Sequence, residues 1–126
     1  MNSIVHFEIP VDDRKRAENF YNKAFGRNMN HMPDFDYTMV GTAESNEQGM
    51  PKEPGAINGG MGKRGGPLEH TVVTISVLDI DAALKKIEQL GGKTVQAKMA
   101  IGDMGFTGYF KDTEGNIVGL YQPAGM

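Results

Sequence analysis

The chain has no cysteine, which excludes disulfides, thiolate metal sites and cysteine nucleophiles. It has no excess of positive charge either. Thirteen basic residues against 16 acidic ones give a net charge of −3, and Lys and Arg are scattered apart from Arg14-Lys15-Arg16, so the electrostatic footprint of a nucleic-acid binder is missing. That triplet lies among Asp12, Asp13 and Glu18 and reads as a solvated helix face. No apolar run approaches the ~18 residues of a membrane span. The first residues enter a strand-like segment with no charged region or apolar signal core ahead of it, so a cytoplasmic protein without a membrane partner is expected. No serine stands in a Gly-x-Ser-x-Gly elbow. The run Gly60 to Gly65 has the glycine spacing of a dinucleotide fingerprint, but Gly66-Pro67 follows where a helix would have to open, so it reads as a flexible linker.

What is present is one domain's worth of chain, 126 residues with ordinary apolar and charged content. Val5, Phe7, Ile9 and Val11 alternate with His6, Glu8 and Pro10, the period of a half-buried strand. Asp12 and Asp13 then offer a helix cap, Ala17, Phe20, Tyr21, Ala24 and Phe25 recur at helical spacing, and Gly26 supplies a stop. The same text returns 66 positions later: Val73, Ile75 and Val77 alternate, Asp79 caps, Ile80, Ala83, Leu84, Ile87 and Leu90 repeat, and Gly91-Gly92 end the helix. Strand-like pieces follow each helix, at residues 36–40 and 56–61 in the first copy and at 94–98, 107–111 and 117–121 in the second. A closing-strand match of Gly59 to Gly119, at an offset of 60, makes the first copy six residues longer. The expected architecture is α+β, two tandem βαβββ units in a single domain: unit one about residues 1–62, a linker about 63–69, and unit two about 70–126.

This duplicated unit, with an opening of the type FEIPVDDRKRAENFY and a close of the type YFKDTEGNIVGLYQ, resembles the vicinal oxygen chelate superfamily of glyoxalases, bleomycin-resistance proteins and extradiol dioxygenases. The resemblance implies that each unit curls into a half-barrel around a cavity, that copies pair as a homodimer, and that metalloenzymes of the family hold one divalent ion on side chains of the first and last strands. Carried over singly, those positions fall on His6, Gly59, Val72 and Gly119. Only His6 is a ligand type, and catalytic sites normally need three protein ligands, so no cofactor is expected. A divalent metal on a displaced set of His6, Glu8 and His70 or His31 is the alternative.

The expected function is therefore binding of an uncharged or weakly polar small-molecule ligand by a glyoxalase-like protein, its reaction unspecified. The alternatives are a metal-dependent lyase, isomerase or dioxygenase, and an antibiotic-sequestering protein of the bleomycin-resistance type, against which the net charge of −3 offers little attraction for a cationic drug. The polar contacts expected are His6, Glu8, Thr74 and Tyr121. His6 beside Glu8 is the pair for acid–base work, although their i, i+2 spacing leaves side-chain attachment points ~6.5 to 7 Å apart. A turn over residues 112–115 would put Phe106, Gly108 and Phe110 on the face of Gly119 and Tyr121, as cavity wall, with Met29, Met32, Met39, Met61, Met99 and Met104 as adaptable apolar lining. Residues 101–105 read as a flap or a plain loop.

Overall fold

The structure, a computed structural model, describes residues 1–47 and 50–125. Two compact units divide the chain, His6–Thr71 and Met1–Val5 with Val72–Met126. Each contains one helix and a four-stranded mixed sheet. Their order along the chain is β1 (Ile4–Val11), α1 (Arg14–Phe25), β2 (Asn28–Met32), β3 (Tyr37–Gly41), β4 (Gly59–Lys63), then β5 (Val72–Ser76), α2 (Ile80–Gln89), β6 (Lys93–Ala100), β7 (Gly105–Lys111) and β8 (Ile117–Pro123). Among the described residues no helix is long and apolar enough to cross a membrane.

The two units repeat one topology. In the first the sheet order is β2-β3-β4-β1, with β1 parallel to β4 and the other pairs antiparallel; in the second it is β6-β7-β8-β5, with β5 parallel to β8. The helices start alike for one reason. Asp13 accepts a hydrogen bond from the Arg16 amide at 3.0 Å, and Asp79, 66 positions on, accepts one from the Ala82 amide at 3.2 Å. Gly26, at φ 69°, closes α1 in the left-handed conformation, and Gly91, at φ 100°, follows α2.

Strand β2 is the element that the apolar pattern does not show. Its sequence, Asn-Met-Asn-His-Met, lies at a sheet edge with no residue buried, so nothing selects for apolar alternation there. The repeat does locate it, because 66 positions back from the strand-like residues 94–98 are residues 28–32.

Each helix packs on one face of its own sheet. In the first unit Val11, Val40 and Met61 form the buried core with Phe7, Ile9, Ala17, Tyr21 and Met29 against them, so Met61 and Met29 are core filler there. In the second, Val77, Ile80, Leu84, Phe110 and Leu120 do so, joined by Ile75, Ala83, Ile87, Phe106 and Val118. The units differ in depth: α2 buries Ile80 and Leu84, whereas α1 buries none of its residues.

Register corrects two expectations. Lys111 lies opposite Ile117 and Tyr109 opposite Gly119, one residue away from the pairing that a turn over 112–115 would give. The Asp112 carboxylate explains the extra residue: it accepts from the amides of Glu114 and Asn116 and from the Asn116 side chain, drawing Asn116 into the turn. A slip of one residue exchanges the faces. Phe106 and Phe110 therefore join the α2 core, and a side chain at Gly108 would meet Ile80; they do not share the face of Gly119. Second, Glu8 pairs with Gly60 while Thr74, its counterpart 66 positions on, pairs with Gly119. The closing strands thus correspond at an offset of 59, through Gly60 rather than Gly59, and the first copy is longer by seven residues, not six.

Candidate functional site

Strand alternation and pairing decide what faces away from α1 in the first unit. With Phe7, Ile9 and Val11 toward the helix, His6 and Glu8 project from the opposite face of β1, level with Gly60 on β4. Tyr37, at the start of β3, belongs to that face as well. Its ring lies across Gly60 and against Gly62, occupying the space in which any side chain at Gly60 would stand. Thr38, the next residue, points the other way, and its hydroxyl donates to Glu18 of α1 at 2.7 Å.

Tyr37 joins the two residues that their spacing alone leaves apart. Its hydroxyl donates to Glu8 Oε2 at 2.9 Å and lies 2.9 Å from His6 Nε2. Glu8 is only 8% exposed, and His6 and Tyr37 are half-buried. Burial holds the His6 imidazole below its usual pKa; the neighbouring Glu8 carboxylate acts in the opposite direction without cancelling it. A neutral, oriented imidazole backed by a phenol and a buried carboxylate can accept a hydrogen bond or a proton from a bound molecule.

A stability consequence follows from that lowered pKa. The unfolded chain binds a proton at His6 near pH 6.5, and the folded chain only at lower pH. The His6 contribution is therefore complete above about pH 6.5 and is lost as pH falls through the folded value. In urea unfolding between pH 7 and pH 5, the wild-type midpoint is expected to fall more than that of His6→Gln. Parallel curves for the two proteins would show that His6 is not held neutral by the fold.

The other expected residues are not drawn into this group. Thr74 and Gly119 are paired across β5 and β8, the threonine hydroxyl filling the space beside the glycine at 2.7 Å from where a side chain would begin. The Tyr121 hydroxyl is bound to the Met104 carbonyl, which ties down the single helical turn Gly102–Met104 within the segment expected as a flap or loop. His31 lies beside Thr38 on the α1 side of its sheet, its Nδ1 3.2 Å from the threonine hydroxyl. There Thr38 and Arg14 hold the Glu18 carboxyl below its usual pKa, outweighing the opposing effect of burial. His70 is exposed.

The divalent ion that the resemblance implies does not fit these side chains. His6 Nε2 is engaged by Tyr37, the β4 position on its face is a glycine under that tyrosine's ring, and among the described residues no three His, Asp or Glu side chains converge. Tyr37 is the residue that sequence reasoning missed. The signal available for it was Gly59-Gly60, since paired glycines within a strand mark close approach of something large; Phe7 covers Gly59 from the other face.

Comparison with known proteins agrees with this architecture. Residues 3–43 match the model of the bleomycin resistance protein-like N-terminal family. The Streptomyces coelicolor methylmalonyl-CoA epimerase, solved with 2-nitronate-propionyl-CoA, superposes with a TM-score of 0.68 at 14% identity, over 100% of this chain and 97% of that one. A glyoxalase/bleomycin resistance protein/dioxygenase superfamily member from Vibrio splendidus gives 0.60 at 12% identity, over 98% and 99%. A hypothetical protein from Bacillus halodurans gives 0.64 at 12%, over 99% and 96%. No curated protein sequence matches. With two βαβββ units in one chain, this protein has the vicinal oxygen chelate fold, the fold of the glyoxalase, bleomycin-resistance and dioxygenase superfamily.

Proposed function

We propose that the chain is a glyoxalase-like small-molecule-binding protein that holds its ligand without a divalent ion at the family's usual position. The observation that carries this reading is Tyr37, whose ring occupies the ligand space at Gly60 and whose hydroxyl engages the one histidine of the first strand. Polar recognition falls to His6, Tyr37 and Glu8, which one face of the first unit's sheet brings together. A relative of the same fold is solved with the small molecule 2-nitronate-propionyl-CoA, which supports a binding role for this one. Exposed Phe20 and Phe25 on a helix with no buried residue support the homodimer that the family resemblance implies.

Metal analysis of the purified protein tests the reading. Substoichiometric Fe, Ni, Zn and Mn are expected, with no change in thermal midpoint on chelation. A stoichiometric metal that disappears in His6→Ala overturns it. The match of residues 3–43 to the bleomycin-resistance-like model favours drug sequestration as the second reading. A thermal-shift screen of cationic glycopeptides against neutral aromatic compounds separates the two, stabilisation by the glycopeptides alone selecting the second.

A further inference from the structure

A phenol has one proton, and Tyr37 gives its proton to Glu8. The same oxygen, 2.9 Å from His6 Nε2, is left as an acceptor in that second bond, so Nε2 must carry a hydrogen. A neutral imidazole with its proton on Nε2 has its lone pair on Nδ1. Among the described residues no group bonds to that nitrogen, and the only polar side-chain atom that is both buried and unpaired is Gln96 Nε2, so Nδ1 is reached by solvent. The order Glu8, Tyr37, His6 thus fixes one tautomer and turns its acceptor outward.

Resting on the small-molecule reading above, we propose that His6 Nδ1 is a fixed hydrogen-bond acceptor selecting ligands that present an uncharged O–H or N–H, and that Tyr37 is the positioning residue that sets this polarity. The ligand class follows from the charges. A carboxylate or phosphate brings only acceptor oxygens to a lone pair and approaches the buried Glu8 carboxylate behind it, which repels it twice over. An alcohol, phenol, enol or amide N–H supplies what Nδ1 lacks. An acceptor-only group in its place leaves the nitrogen desolvated without a partner.

The tautomer is read directly from long-range proton–nitrogen correlation spectra of the nitrogen-15-labelled full chain above pH 7. The expected spectrum has the proton on Nε2 and a bare Nδ1. The Tyr37→Phe variant keeps the ring over Gly60 and so should fold, and there the preference is expected to relax. In titrations followed at His6, phenol should move Nδ1 and bind about tenfold more tightly than anisole, the equivalent of one hydrogen bond; Tyr37→Phe should erase that ratio. A proton on Nδ1 in the wild type overturns the inference, as does equal binding of phenol and anisole. Two further outcomes separate it from the reading beneath. Ligands that bind but leave His6 unmoved defeat the inference and spare the small-molecule reading, whereas a stoichiometric metal on His6 defeats both.

Discussion

Gly105→Ala is expected to destabilise the protein by about 3 kcal/mol or more, a drop in thermal midpoint on the order of 10 °C. Two costs coincide at this position. Gly105 has φ 121°, a conformation that residues with a side chain rarely adopt. Its alanine methyl would also overlap the Gln122 carbonyl oxygen and press on the amide nitrogen of Ala124, both backbone atoms that cannot turn aside. The neighbouring structure has no slack to offer, because Gly105 is paired with Pro123 and its carbonyl accepts from the Ile101 amide, closing the turn that Tyr121 holds. Gly115→Ala is the control. At φ 85° with open space around it, it should show the conformational cost alone, about 1 kcal/mol. Equal losses in the two variants, measured by urea unfolding, would mean that the overlap at Gly105 is relieved.

Ile80→Ala carries the second large effect, about 4 kcal/mol, near the upper part of the range for such truncations. Ile80 is fully buried at the first turn of α2, and one of its methyl groups fills the space above Gly108, where the sheet presents bare backbone. Gly108 itself has no side chain to lean into the void. Adding Gly108→Ala returns a methyl group to that space. Alone, Gly108→Ala crowds both Ile80 and the Gln96 carbonyl at 3.2 Å and should destabilise; in the Ile80→Ala background its cost should fall, with a coupling of about 1 kcal/mol. Strict additivity in a double-mutant cycle would contradict the packing described.

Much of this architecture is legible in the sequence because its causes are local. Asp13 and Asp79 cap their helices through atoms three residues away, and the apolar alternation of β1 and β5 follows from Phe7, Ile9 and Val11 and from Ile75 and Val77 packing in the helix-side cores. The failures lie where a distant partner decides. Strand β2 is an edge whose strand pairing is to β3. The β7–β8 register depends on how many amides one carboxylate gathers, and a single added residue moves Phe106 and Phe110 from an expected cavity wall into a core. His6 and Glu8 were visible as a pair, but the atom that connects them belongs to a residue 29 positions from Glu8, brought across by the β3–β4 pairing.

The length difference between the two copies is unevenly placed. Pairing relates Met39 to Tyr109 and Gly60 to Gly119, offsets of 70 and 59 against 66 at the first strands, so the first copy is four residues shorter before β3 and eleven longer between β3 and β4. That long connection is sewn shut at its base. The Thr42 amide donates to Asn58 at 2.9 Å, the Thr42 hydroxyl donates to the Ile57 carbonyl at 2.6 Å, and the Asn58 amide reaches Ser45 at 2.9 Å. These bonds stand between the connection and the ladder that carries Tyr37 and Gly60. Doubling the loop would cost only about 0.6 kcal/mol in closure entropy. For anyone wishing to attach a reporter peptide or a second module to this scaffold, that connection offers a graft point which the stitch separates from Tyr37 and Gly60.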